Sequence, residues 1–144
     1  MPLLHQATKF ATNKMPKVIN PTAHAIIDYA MAASFFGMAA FFWRRNKRAA
    51  VSALVCGAAE TVTALCTDYP GGVVDKISFP AHGGIDVGLS GVVASLPGIL
   101  LFSDKPEAKF FRVQGVALAA VTGLTDFTGS GKSGQMEELD RRSA

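Results

Sequence analysis

The chemistry this chain can offer starts with two histidines and the acids that travel with them. His24-Ala-Ile-Ile-Asp28 and His82-Gly-Gly-Ile-Asp86 carry the same pair of side chains at the same spacing. Four residues apart on a helix, each histidine and its aspartate share one face. Two further acids, Asp68 and Asp126, follow threonines in Thr67-Asp68-Tyr69 and Thr125-Asp126-Phe127. If these segments meet, His24, His82, Asp28, Asp86, Asp68 and Asp126 form a nitrogen and oxygen donor set. Such a set suits zinc, manganese or iron better than calcium. A haem held by both histidines is the other cofactor reading. There is no Cys-x-x-Cys-His and no Glu-x-x-His, so no particular metal is specified. The same residues also suit a purely structural clasp, in which the histidines donate to Asp68, Asp126 or the neighbouring helix's aspartate. Asp28 and Asp86, near helix starts, would then be favoured by the positive helix ends.

Glu60 is a separate candidate. It is the only formal charge between Ala49 and Thr67. It lies two helical turns from Asp68, about 12 Å along a helix axis. An acid inside a membrane helix is a candidate for a proton or ion path. Cys56, Glu60, Ala64 and Thr67 share its face.

The elements that must position these residues follow from where charge is missing. Of 144 residues, 49% are hydrophobic and 17% charged, against about 25% charged in soluble domains. From Ala23 to Trp43 the ionisable groups are His24, Asp28 and Tyr29; from Ala81 to Phe102 they are His82 and Asp86; from Val113 to Thr125 there are none. Charge collects in the connections, as in Arg44-Arg45-Asn46-Lys47-Arg48. A membrane-crossing helix needs roughly 17–25 mostly apolar residues. The runs are rich in alanine, leucine, methionine and phenylalanine, do not alternate, and are separated by Pro21, Pro70-Gly71-Gly72, Pro80 and Pro106. These features predict four transmembrane helices at about 22–43, 49–68, 80–102 and 109–127, with Pro97 inside the third. A small soluble bundle would instead show polar helix faces.

The chain also repeats at a constant offset of 58 residues: His24 with His82, Asp28 with Asp86, Gly57 with Gly115, Thr67 with Thr125, Asp68 with Asp126. Each repeat, about 22–69 and 80–127, is a helical hairpin, so both hairpins share one orientation, as in parallel transporter repeats. The histidine-bearing starts of helices one and three and the aspartate-bearing ends of helices two and four then lie on one side. Glu60 breaks the repeat, because its equivalent is Leu118. Gly84-xxx-Gly88, Ala53-xxx-Gly57 and Gly115-xxx-Ala119 carry small-residue spacing suited to close helix contact. The expected class is an all-α integral membrane four-helix bundle of two tandem hairpins, residues 22–127. It is flanked by a polar or amphipathic tail, 1–21, without a signal-peptide pattern, and a flexible tail, 128–144.

With Ser95-Leu96-Pro97-Gly98-Ile99-Leu100-Leu101-Phe102 in the third helix, the chain resembles small bacterial membrane proteins of the SPW-repeat type. These carry a repeated pair of transmembrane helices with a Ser-Pro-Trp motif. The resemblance covers about residues 22–127. It implies a four-helix membrane architecture in a bacterial inner membrane and no activity.

Other chemistry is poorly supported. No Gly-x-Ser-x-Gly is present, and Gly129-Ser130-Gly131-Lys132-Ser133 lacks the upstream glycine and strand of a phosphate loop. The basic run at 44–48 reads as a topology signal or an anionic-lipid contact rather than a nucleic-acid site. Its concentration beside helix ends puts loops 44–48 and 103–109 in the cytoplasm. The functional expectation is therefore a membrane protein of structural or interaction type rather than an enzyme. Its partners would be the bilayer and a membrane-protein partner or further copies of itself. A metal- or haem-binding protein is the first alternative and a proton or ion conductor the second.

Overall fold

The protein is described by a computed structural model that covers residues 15–128 and 132–143. Its helices are α1 (Pro21–Phe42), α2 (Lys47–Cys66), α3 (Phe79–Ile99), α4 (Ala108–Leu124) and α5 (Lys132–Ser143). The first four stand where the apolar runs predicted them. Asn20, Asn46 and Ser78 open α1, α2 and α3 by accepting from the backbone N–H three residues on, at 2.8, 3.2 and 3.3 Å. Pro21 and Pro80 sit in first turns, where a missing N–H costs nothing. Pro97 lies in the last turn of α3, as its place inside the third run predicted. The helix ends at Ile99, and Leu101 turns the chain away with φ 57°.

The closely packed pairs are α1 with α2 and α3 with α4, with a looser seam between α2 and α3. At the loop end of the hairpins Phe35, Phe42, Ala53, Val93, Phe102 and Phe111 form the main apolar cluster, contributed by all four long helices and the α3–α4 connection. A smaller cluster, Ala25, Ala64, Tyr69 and Phe79, occupies the other end.

That other end is tied by two backbone bridges that are related to each other by the 58-residue offset. Ile19 bridges Thr125, and Ile77 bridges Thr67. Asp126 N donates to Ile19 O at 2.9 Å, and Asp68 N to Ile77 O at 2.8 Å. The segment before α1 is thereby fastened to the end of α4, and the segment before α3 to the end of α2. The starts of α1 and α3 meet the ends of α2 and α4, as the spacing of the histidines and threonines requires.

Two expectations need correction. The tail from residue 128 carries helix α5 in place of a wholly flexible end. Its glycines stop at Gly134, and Met136 to Arg142 are mostly good helix formers, with an Arg141–Glu137 ion pair one turn apart. Residues 1–14, 129–131 and 144 lie outside the described residues. These include most of the expected N-terminal tail and the glycines of the phosphate-loop-like run. The second correction concerns the small residues. A Cβ on Gly115 would lie 2.7 Å from Ser90 O and 2.8 Å from Ala94 Cβ, and one on Gly57 would lie 3.1 Å from Phe35 Cβ. Gly84 and Gly88 have no such neighbour within 4 Å, so their spacing makes no helix contact within the chain.

This contrast is measurable. Gly115→Ala forces α4 away from the α3 backbone and is expected to cost about 1–3 kcal/mol. Gly84→Ala relieves only the entropic penalty of glycine and is expected to add about 0.5–1 kcal/mol. Unfolding of both purified variants, followed by circular dichroism, tests this, and equal effects at the two positions would contradict the packing.

Candidate metal centre

His24 and Asp28 reach inward from the first turns of α1, and His82 and Asp86 do the same from α3. All four side chains are completely buried. The His24 and His82 Nε2 atoms lie 3.2 Å apart. His24 Nε2 is 3.2 Å from Asp86 Oδ2 and 3.4 Å from Asp28 Oδ1. His82 Nε2 is 3.2 Å from Asp28 Oδ2 and 3.2 Å from Asp86 Oδ2. One donor atom from each residue falls within 4.8 Å of every other. A tetrahedral ion with bonds of about 2.0–2.2 Å sets its ligands about 3.3–3.6 Å apart. The Nε2–Nε2 and histidine–carboxylate separations of 3.2–3.4 Å are close to that edge length, although the two histidines approach different oxygens of Asp28 and the full set is bounded only by 4.8 Å.

The protons decide what this cluster is. Thr67 Oγ1 donates to Thr63 O at 2.6 Å, and Thr125 Oγ1 donates to Val121 O at 2.7 Å. Each hydroxyl has one hydrogen, now used. Yet each hydroxyl oxygen also sits 2.7 Å from a histidine Nδ1: Thr125 with His24, Thr67 with His82. The threonines must accept there, so both Nδ1 atoms carry hydrogen. In the neutral rings both Nε2 atoms are then bare lone pairs, and they point at one another. Ligating histidines commonly donate their other N–H to an outer partner in this way.

The carboxylates are short of donors as well. Tyr69 donates its hydroxyl to Asp28 Oδ2 at 2.8 Å. Burial and the Asp28 carboxylate push the Tyr69 phenol well above its ordinary pKa, so it remains a donor. Asp28 Oδ1 and Asp86 Oδ1 are buried with no hydrogen-bond partner. The residue 58 positions after Tyr69 is Phe127, which has no hydroxyl to offer Asp86. Tyr69, Phe79 and Phe127 surround His24 edge-on at 6.4, 5.4 and 5.5 Å between ring centres. A Cβ on Gly83 would come within 2.6 Å of Phe127 Cζ, so the absent side chain lets that ring close in.

The other expected site residues lie elsewhere. Asp68 and Asp126 do not belong to the four-residue group. The Asp126 carboxylate holds the Thr128 N–H at 2.9 Å and its hydroxyl at 2.5 Å, which keeps its pKa below the usual range. The histidines use the threonines beside these acids, at Thr67 and Thr125. The matched Thr-Asp pairs flagged the right segments, with the hydroxyls rather than the carboxyls turned inward. The haem reading does not fit. Nitrogens on opposite sides of an iron stand about two bond lengths, roughly 4 Å, apart, and here Asp28 and Asp86 fill the flanks a porphyrin would occupy. Glu60 is buried on α2 at 1% exposure, with neither carboxylate oxygen hydrogen-bonded.

No protein-family model, no curated protein and no solved structure matches this chain. The geometry of the four residues therefore carries the functional argument.

Replacing either threonine by valine leaves a buried Nδ1–H without an acceptor, which is expected to cost about 1–3 kcal/mol. Thr67→Ser and Thr125→Ser keep the hydroxyl and are expected to retain most of the stability. Chemical denaturation of the four variants checks this; valine variants as stable as the serine variants would remove the threonines from the histidine tautomer argument.

Proposed function

We propose that this chain is an integral membrane four-helix bundle of two tandem hairpins, and that it holds one divalent transition-metal ion between them through His24, His82, Asp28 and Asp86. The observation that carries the metal reading is the pair of Nε2 lone pairs, fixed by the threonines and facing one another between two buried carboxylates. Neutral imidazoles and ionised aspartates leave the cluster two negative charges, which a divalent cation balances. Two nitrogens and two oxygens within 4.8 Å of one another suit zinc first, then iron or manganese. A full set of four buried protein ligands is the pattern of a structural rather than a catalytic site. The ion serves here as a staple between the hairpins, and the protein as a structural or interaction component of its membrane.

Support for the bilayer comes from the outer surface. Helices α1 and α2 are long and apolar enough to cross a membrane. Among the described residues only these two of the four expected spans combine length with apolarity; α3, with 21 residues, and α4, with 17, fall in the spanning range of roughly 17–25 by length alone. Ile26, Phe41, Val55, Val62, Val92 and Val116 point outward from all four, each more than half exposed. The histidines and acids are inside. Buried ionisable groups beside an apolar core, with large apolar side chains on the outside, depart from the usual soluble pattern. The basic residues at 44–48 favour a cytoplasmic position for that loop and the 103–109 loop. The metal centre then lies toward the outer face of a bacterial inner membrane. The SPW-type resemblance supports the same architecture.

Elemental analysis of detergent-purified protein, prepared without chelator, is expected to find about one metal ion per chain, lost in the His24→Ala/His82→Ala double variant. Thr67→Val, which leaves every ligand in place, is expected to lower metal affinity about 10–100-fold. Metal-free wild-type protein would instead favour a clasp in which an added proton bridges the two imidazoles. A membrane fraction that keeps the chain through an alkaline wash tests the bilayer reading independently.

One observation favours a second reading. Glu60, buried with both oxygens unpartnered, is suited to carry a proton across the bundle. Glu60→Gln is expected to abolish proton flux in liposomes while leaving metal content unchanged. Equal flux in the wild type and the variant would exclude the conductor.

A further inference from the structure

Two clefts adjoin at the end of the bundle opposite the His/Asp cluster. The first, about 650 Å³, is lined by Arg45, Lys47, Arg48 and Lys105 together with Leu101 and Glu107. The second, about 470 Å³, runs along α2 and α3 between Val51, Val55, Leu96 and Leu100. Lys47 and Arg48 line both. One basic cleft therefore opens directly into one apolar groove, at the α2–α3 seam between the two hairpins, which is looser than the packing within either hairpin.

The polar groups of each cleft restrict its occupant. Four cations and one carboxylate line the basic cleft; Glu107 is engaged by Arg45 Nε at 3.4 Å, and Lys105 Nζ also pairs with the exposed Asp104 at 2.7 Å, a contact that a phosphate would have to share or displace. Lys47 lies 3.9 Å from the Trp43 ring centre. Arg48 reaches across the seam, with Nη1 3.3 Å from Leu100 O and 3.4 Å from Leu101 O. Its other guanidinium N–H groups remain free for an anion. In the groove, Ser52 spends its hydroxyl on Arg48 O at 2.7 Å, so the side-chain donors that remain are Lys47 and Arg48 at the end shared with the basic cleft. Leu101, in the left-handed region and 76% exposed, adds an apolar rim.

We infer that the two clefts together bind one anionic phospholipid. Its phosphate lies against Arg48, Lys47 and Lys105, and one acyl chain lies along Val51, Val55, Leu96 and Leu100. The polarity changes along α2 in the order of a lipid, from charged head at the helix end to hydrocarbon deeper along the axis. The groove is within the volume range of ligand sites, about 300–1,000 Å³. A soluble anion would use the basic cleft and leave the groove unused. A zwitterionic lipid would bring its own cation toward four others. Basic residues beside the bilayer attract anionic lipid in this way. The inference rests on the bilayer reading above and is independent of the metal.

The test uses the full-length protein in nanodiscs of equal phosphatidylglycerol and phosphatidylcholine, released and counted by native mass spectrometry. One phosphatidylglycerol per chain is expected to remain, in preference to phosphatidylcholine. Arg48→Gln/Lys105→Gln is expected to lower that retention about thirtyfold, given about 1 kcal/mol per basic residue near the surface. Val55→Trp, which fills the groove and leaves every cation in place, is expected to lower it as well. Glycerol 3-phosphate alone is expected not to bind. Equal retention of the two lipids, undiminished retention in both variants, or binding of glycerol 3-phosphate would each overturn the lipid site. A chain recovered from the soluble fraction would overturn the bilayer reading with it. Membrane-extracted chain without lipid preference would overturn this inference alone.

Discussion

Two threonine hydroxyls fix the direction in which two buried imidazoles present their lone pairs, and the functional end of the molecule is built around that fact. A hydroxyl has one hydrogen. Thr67 and Thr125 each place it on the carbonyl one turn back in their own helix, at 2.6 and 2.7 Å. Each must therefore accept from a histidine Nδ1 at 2.7 Å. The consequence reaches the far side of each ring, where the two Nε2 atoms stand 3.2 Å apart. Two neutral imidazoles so oriented repel weakly, and the carboxylates of Asp28 and Asp86 beside them add negative charge. Something positive must sit among these four groups, whether a metal ion or an added proton. Four buried donor residues within 4.8 Å and two orphaned carboxylate oxygens favour the ion.

The fold supplies this constraint by crossing its hairpins. His24 from α1 rests on Thr125 at the end of α4, and His82 from α3 rests on Thr67 at the end of α2. The backbone follows the same pattern through Ile19 with Thr125 and Ile77 with Thr67. A positive centre among the four side chains is thus held by residues from both hairpins. It is also covered by rings from both, Tyr69 and Phe79 with Phe127. The offset is kept at the ligands and broken around them. Tyr69 gives Asp28 an O–H that Phe127 cannot give Asp86, and Glu60 stands where α4 has the buried Leu118. An ion bound here would meet one aspartate already partly neutralised by a hydrogen bond and one fully available.

Much of this was legible in the sequence, for identifiable reasons. The absence of charge over long alanine- and phenylalanine-rich runs marked the four helices. The breakers Pro21, Pro80 and Pro106 marked the gaps between them. The i,i+4 pairs His24/Asp28 and His82/Asp86 pointed inward together because helix periodicity requires it. Their convergence followed from placing equivalent residues at equivalent ends. Asp68 and Asp126 misled, because sequence order says which turn a residue occupies and not which of two adjacent side chains faces in. Thr67 and Thr125 end their helices with side chains still on the inner face, and the next residue has already left it. Gly84 and Gly88 misled similarly. A four-residue spacing defines a face, and only the packing partner, present at Gly115 and missing at Gly84, decides whether that face is used. The C-terminal helix was hidden by the glycines that precede it.

The two ends of the molecule impose opposite electrostatic demands. The loop end gathers Arg45, Lys47, Arg48 and Lys105 around one engaged carboxylate, and the other end buries two aspartates with few donors. The cations are exposed, where water, salt or lipid phosphate can answer them. The aspartates are sealed behind aromatic rings, where only a bound group can. A surplus of positive charge at an accessible surface is ordinary and reversible, and it can respond to the composition of the surrounding lipid. An unbalanced negative charge in the interior is expensive until neutralised. A cation bound at the sealed end would therefore have to enter as the hairpins close over it, whereas a partner at the open end could exchange afterwards.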